Sequence, residues 1–151
     1  MPAVVDPALR IEGEVIAAHA RSLMAAHATD IASSDQHAVK PWLSARLDFS
    51  PPVADLARDG FSLIGGRLDY LGERAVAALL YQRRQHVINV FVWPAEDMSA
   101  SAARGASRRG FNFVEWKQRG MRYWMVSDLG AAELSSFAQL MQLRTEGKRP
   151  D

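Results

Sequence analysis

Between residues 61 and 93 the apolar side chains follow a period of two, which constrains the fold more than any other feature of the chain. The pattern predicts three consecutive strands at Phe61–Leu71, Ala75–Arg83 and His86–Trp93. The third run, HVINVFVW, is β-branched and aromatic and is apolar on both faces except at Asn89, which is typical of a central strand. The pair Gly65-Gly66 inside the first strand predicts a bulge or a close approach of another backbone.

Helical periodicity flanks these strands. Apolar or weakly polar residues recur at steps of three and four near the N-terminus and predict a helix over residues 12–31 with one buried stripe: Ile16, Ala20, Leu23, His27, Ile31. Asp128 is expected to cap a final helix, whose stripe consists of Leu134, Phe137, Ala138 and Met141. Pro41 is expected to open a short helix across Trp42 to Arg46.

A second pair of strands is predicted at Phe111–Trp116 and Met121–Ser127, joined by the short KQRG turn. Residues 95–109 are mostly Ala, Ser, Arg and Gly and predict a mobile loop. The chain of 151 residues has the usual size of one domain. We therefore expect an α+β fold, in which an N-terminal and a C-terminal helix pack on an antiparallel sheet of about five strands. The expected boundaries are a flexible segment 1–11, one domain 12–143 and a frayed tail 144–151.

Composition excludes several kinds of function. The chain has no cysteine, so disulfides, thiol nucleophiles and cysteine-ligated metals are excluded. No apolar run approaches the ~18 residues of a membrane helix, and the N-terminus does not resemble a signal peptide, so the chain is expected to be soluble as given. Residues 81–122 carry eight basic and three acidic side chains, which fits solvated turns better than an anionic partner surface.

No catalytic or cofactor motif is present. The sequence contains neither a nucleophile elbow nor a glycine-rich phosphate loop, so we expect no enzyme activity and no cofactor. Aromatic residues near Arg119 and Arg122 could stack on bases, but their strand spacing favours a hairpin core, and no nucleic-acid partner is expected. His19 and His27 lie eight residues apart, ~12 Å along a helix, and cannot chelate one ion.

A metal site remains only as a weak alternative. A loop and a strand could converge to bring together one carboxylate and two imidazoles, and the candidate ligands are Asp35, His37 and His86.

Several longer motifs resemble a known family. They are Asp35-Gln36-His37, Lys40-Pro41-Trp42, Leu47 to Pro51, Gly65 to Tyr70, Tyr81 to Pro94, and Gly120 to Asp128 with the closing helix. Over residues 12–143 the chain resembles the C-terminal, extracytoplasmic domain of proteobacterial transmembrane anti-sigma factors. Proteins of that family restrain extracytoplasmic-function sigma factors.

The resemblance implies a non-catalytic regulatory or sensor domain on the periplasmic face of the inner membrane. In the family, a cytoplasmic segment holds the sigma factor and a single transmembrane helix anchors the protein. This chain lacks both, so sigma and membrane contacts are expected only through absent parts of a parent protein. The signal would be a protein or a small molecule in the periplasm.

Polar and aromatic side chains near the central strand form the candidate recognition surface: His37, Lys40, Trp42, Arg67, Arg83, Arg84, His86. The competing interpretation is that Asp35, His37 and Lys40 bond locally and hold an irregular loop on the sheet. The alternative function, of a different class, is a free-standing protein that binds a small ligand or a metal.

Overall fold

The computed structural model describes residues 7–24 and 28–145. The elements in chain order are α1 (Pro7–Met24), β1 (Ile31–Ala32), α2 (Gln36–Ser44), β2 (Ser62–Leu71), β3 (Arg74–Arg83), β4 (His86–Pro94), β5 (Ser101–Arg108), β6 (Phe111–Gln118), β7 (Met121–Ser127) and α3 (Ala131–Thr145). A short 3-10 helix, Ala57–Asp59, lies in the link between α2 and β2.

All strand pairs are antiparallel, and they form one sheet in the order β1-β2-β3-β4-β7-β6-β5. The α+β class and the flanking N- and C-terminal helices are therefore confirmed. The strand β4 is central, as its two apolar faces predict. The chain leaves β4 for the far edge of the sheet and returns through β5, β6 and β7, so β7 pairs with β4.

The five predicted strands are all present within a few residues of their expected ends. The turn between β6 and β7 is the predicted hairpin turn, because Arg119 and Gly120 both adopt positive φ angles of 51° and 78°. Arg109 and Gly110 form the same kind of turn between β5 and β6, with φ angles of 56° and 85°.

The sheet has seven strands, not about five. The strand β5 lies in the segment predicted as a mobile loop. Its side chains are almost all exposed on both faces, so no apolar alternation marks it as a strand. It is held by its backbone ladder to β6 and by cross-strand contacts, including the 3.0 Å ion pair between Arg104 and Glu115. The strand β1 is only two residues long and pairs with Gly65 and Gly66 of β2.

The helix α2 corrects the expectation for Pro41. Asp35 caps this helix: its Oδ1 accepts a hydrogen bond from the backbone N–H of His37 at 2.8 Å. The helix therefore begins at Gln36, and Pro41 lies inside it rather than at its start. The cap satisfies an N-terminal donor that would otherwise have no partner, which is why the helix starts there.

The helix α1 also differs from its prediction. It begins at Pro7, before the predicted start at residue 12, and ends at Met24. Ile31, predicted to lie in the helix, belongs to β1 instead, and His27 lies outside the described residues. The predicted stripe is wrong at Leu23, whose side chain is 49% exposed. The helix instead buries a mixed stripe at steps of three and four: Glu12, Val15, Ile16, His19, Ser22.

The sheet is covered on both sides. On one side, here the α3 face, it packs against α2, α3 and the link before β2; the predicted stripe of the final helix is buried there and is confirmed. On the other side, here the α1 face, it packs against Val15, Ile16 and Ala18 of α1. Among the described residues, no helix has the length and apolar character needed to cross a membrane.

Candidate functional site

Three of the predicted recognition residues lie on α2. The His37 side chain is exposed. Lys40 contacts the link between α2 and β2, where its Nζ donates to the Pro51 carbonyl at 3.0 Å. Partial burial lowers the pKa of Lys40. The guanidinium of Arg46 lies over the Trp42 ring, 4.0 Å from the ring centroid, and Arg46 also donates to the Trp42 carbonyl. Lys40 and Trp42 thus make local contacts, as the competing interpretation predicts for Lys40.

The α2 cap allows a direct comparison of Asp35 with His37. We expect Asp35→Ala to lower the free energy of unfolding by ~1 kcal/mol, because the cap to the N–H of His37 is lost. His37→Ala should change it by less than ~0.5 kcal/mol, because the imidazole is exposed. Urea denaturation of both variants measures the difference. A larger loss in His37→Ala than in Asp35→Ala would contradict this assignment.

Three other predicted recognition residues lie around the turn between β3 and β4, near the start of α3. Arg83 and Arg84 share the carboxylate of Glu133, at 2.6 Å and 2.8 Å. Their hydrogen bonds lower the pKa of Glu133. His86 Nδ1 lies 2.9 Å from Asp128 Oδ1. The prediction that Asp128 caps α3 is wrong, since α3 begins at Ala131 and the carboxylate contacts His86 instead.

The structure does not join all seven predicted recognition residues into one surface. Arg83 contacts α3, whereas Arg67 lies on the α1 face, where its Nη1 donates to the Ala28 carbonyl at 2.8 Å. The recognition role of these residues stays a prediction. Within residues 7–24 and 28–145, no three His, Asp or Glu side chains are grouped so that they could hold a metal ion. Asp35, His37 and His86 therefore do not form the metal site considered above.

The most distinctive polar group on the α1 face is buried and centres on Asn89, in the middle of β4. Its Nδ2 lies 2.8 Å from Nδ1 of His19 and 2.9 Å from Oγ of Ser22, both on α1. The Ser22 hydroxyl in turn donates to the His19 carbonyl at 2.7 Å. Asn89 and His19 are fully buried and Ser22 is nearly so, so this network fixes α1 to the central strand away from water.

Arg67 extends the network along the sheet. Its Nη2 donates to Asn89 Oδ1 at 3.3 Å and to Asp69 Oδ2 at 2.9 Å. The Arg67–Asp69 pair is mostly buried, with side chains 13% and 18% exposed. A single guanidinium thus contacts β2, β4 and the carbonyl of Ala28, which follows α1.

These contacts determine the protonation state of His19. The amide oxygen of Asn89 accepts from Arg67, so its NH2 group faces His19 and donates to Nδ1. An imidazolium would place a second donor against that NH2 group, so the network requires the neutral ring. Burial lowers the pKa of His19 to about 4; Asp128 opposes this shift and Arg67 adds to it.

Unsatisfied polar atoms are concentrated on the same face. Among the described residues, three buried side-chain nitrogens have no hydrogen-bond partner: His19 Nε2, Trp93 Nε1 and Trp124 Nε1. Trp93 and Trp124 belong to the core cluster beneath α1, and His19 comes from α1 itself. Each buried donor without a partner costs free energy, so the α1 face is less well satisfied than the α3 face.

Sequence reasoning missed His19 as part of a site, although one signal for the network was visible. Asn89 is the one polar residue in the interior of the central strand, which is otherwise apolar after His86, and a buried amide needs partners. Those partners come from residues 19, 22 and 67, which no spacing in the sequence connects with position 89. No protein-family model matches the chain, and neither a curated protein nor a solved structure is significantly similar to it.

Proposed function

We propose that this chain is a non-catalytic regulatory domain, similar to the periplasmic sensor domain of transmembrane anti-sigma factors. In this proposal a parent protein contributes the cytoplasmic segment that holds the sigma factor and the helix that anchors it. The domain itself reports a periplasmic signal. The motifs from Asp35 to Asp128 support the family, and the polar α1 face supports the sensor role.

The observation that carries the sensor role is the difference between the two faces of the sheet. A sensor needs an element with two arrangements that a signal can bias. The α1 face combines the buried His19–Asn89 network with all three unsatisfied buried nitrogens found among the described residues. The α3 face is packed by apolar side chains. The docking of α1 on the sheet is therefore the step we assign to signalling.

The test begins with an immunoblot of fractionated native cells, using an antibody raised against residues 28–145. We expect a membrane-bound band heavier than 16.7 kDa. Deletion of the gene should then raise transcription of a small set of genes that share one promoter motif. A soluble band at 16.7 kDa, with no change in transcription on deletion, would contradict the proposal.

A second experiment tests the role of α1 in the full-length protein. Asn89→Leu removes the partner of His19 and Ser22, whereas Ser136→Ala removes a hydroxyl from the exposed surface of α3. We expect only Asn89→Leu to change transcription of the same genes. Equal transcription in both variants would show that α1 docking is not the signalling step.

The alternative is a free-standing small-ligand-binding protein. It is favoured by one observation, an apolar slot between α1 and the β5–β6 hairpin. The immunoblot separates the two functions, because the alternative predicts the soluble 16.7 kDa band.

A further inference from the structure

A slot of about 270 Å³ lies between α1 and the hairpin of β5 and β6. The α1 wall consists of Ile16 and of three small residues about one helical turn apart, Gly13, Ala17 and Ala20, which leave room beside the helix. The opposite wall is the ring of Phe111 on β6. Both walls are apolar, so a ligand here would bury hydrocarbon.

Two cations lie at the slot, Arg108 and Arg109. Arg108 is partly engaged, because its Nη1 donates to the Leu9 carbonyl at 3.1 Å and lies 4.0 Å from the carboxylate of Glu12. Arg109 is exposed and has no hydrogen bond or ion pair with any residue that the structure describes. Within the part of the chain that the structure describes, Arg109 is therefore a positive charge without an acidic partner next to an apolar slot.

The slot is also connected to the buried network. The Phe111 ring that forms its wall contacts the His19 ring edge-on, with centroids 5.2 Å apart. His19 Nε2 is buried and has no hydrogen-bond partner in residues 7–24 and 28–145. A ligand that shifts Phe111 would therefore change the ring contact with His19 and, through His19, the hydrogen bond to Asn89.

From these three observations we infer that the slot between α1 and the β5–β6 hairpin binds a small anionic amphiphile, such as a medium-chain carboxylate. The alkyl chain lies between the small residues of α1 and Phe111, and the anionic head lies at Arg109. The volume is just below the range of roughly 300–1,000 Å³ typical of small-molecule sites, which suits a single alkyl chain rather than a multi-ring ligand. The assignment of this ligand as a signal rests on the proposed function, whereas its binding does not.

The experiment titrates the isotopically labelled protein with octanoate below its micelle concentration and follows amide chemical shifts. We expect saturable shifts at Gly13, Ala17 and Phe111. Acetate, which has only the head group, and octanol, which has only the chain, should each bind about tenfold or more weakly.

Two variants with matched controls test the walls and the charge. Ala17→Leu fills the slot and should weaken octanoate binding about tenfold; Ala132→Leu, an equally exposed helical alanine on α3, should leave it unchanged. Arg109→Asn should weaken binding about threefold. Arg119→Asn is its control, because Arg119 also begins an arginine–glycine hairpin turn with positive φ but lies away from the slot.

Three results would overturn the inference: no saturable shift with octanoate, octanol binding as tightly as octanoate, or equal binding by Ala17→Leu and wild type. A fourth would be binding to phosphatidylglycerol vesicles without binding to free octanoate, which would indicate a charged surface rather than a slot. None of these results bears on the immunoblot, so failure of the slot and failure of the sensor proposal are distinguishable.

Discussion

Acidification is expected to destabilise this domain through one residue, His19. Its folded-state pKa of about 4 lies below the ordinary histidine value of 6.5, so the folded state resists protonation that the unfolded chain accepts. Well above pH 6.5 His19 is neutral in both the folded and the unfolded state, so its protonation does not change the free energy of unfolding. As the pH falls from 6.5 towards 4, the unfolded state binds the proton first and stability declines. Between pH 7.5 and 4.5 this loss amounts to about 2.5 kcal/mol.

The measurement is urea denaturation at several pH values for wild type and His19→Gln. Glutamine retains an oxygen that can accept from the Asn89 amide, but it does not titrate. Other groups, including Glu133, whose pKa is lowered by its arginine partners, contribute equally to both proteins. The difference between the two profiles therefore isolates His19. Parallel profiles for wild type and His19→Gln would contradict the prediction.

This pH dependence would have a structural consequence at α1. Protonation of His19 Nδ1 would set two donors against each other at Asn89 and would release the bond that holds the helix to β4. Arg67, which already places a positive charge beside the Asn89 amide, opposes the imidazolium further. Acid would therefore loosen α1 before the apolar α3 face, and amide exchange in α1 should rise first.

The parts of the fold that the sequence predicted are those whose apolar side chains are buried. Strand β4 is apolar along most of its length and is buried on both faces, and the apolar stripe of α3 is buried against the sheet, so in both the pattern in the sequence matches the pattern of burial. Strand β5 has no such pattern, because its small and charged side chains face water on both sides. Its position depends on backbone pairing with β6, which composition does not reveal.

The candidate site was less predictable for a related reason. Along α1, hydrophobicity favours Leu23 over His19 as a core residue, yet Leu23 is half exposed and His19 is fully buried. The buried His19 ring is held by Asn89, 70 residues away, which donates to its Nδ1, while Ser22, three residues away, donates to its backbone carbonyl. Partners that meet only in the folded chain cannot be read from local spacing.

The pair Gly65-Gly66 forms the predicted bulge in β2 and lets other parts of the chain approach this strand closely. The register of β2 and β3 shifts between Leu63 and Gly65, which confirms the predicted bulge. A Cβ atom on Gly66 would lie 3.0 Å from Cγ1 of Val39, so the absent side chain lets α2 approach the sheet. On Gly65 a Cβ atom would overlap the carbonyl oxygen of Ile31, so glycine there lets β1 approach.

Gly65→Ala is therefore expected to lower the free energy of unfolding by ~3 kcal/mol or more. The added methyl meets the Ile31 backbone and lies 2.7 Å from Cγ2 of Thr29, and the φ angle of +154° disfavours any side chain. Backbone atoms cannot rotate away as a side chain can, so β1 must separate from β2. The backbone bonds from Asp30 N to Gly66 O and from Ser33 N to Ile64 O should lose their protection from amide exchange.

The matched control is Gly110→Ala, in the hairpin turn between β5 and β6. Gly110 also has a positive φ, +85°, but an added Cβ atom would meet nothing within 4 Å. Its cost should be the conformational strain alone, ~1 kcal/mol, with β1 protection unchanged. Equal destabilisation of the two variants in urea would contradict the steric explanation, because strain without overlap would then account for both. A larger loss in Gly65→Ala, together with selective exchange at β1, would assign the glycine to the close approach of the two strands.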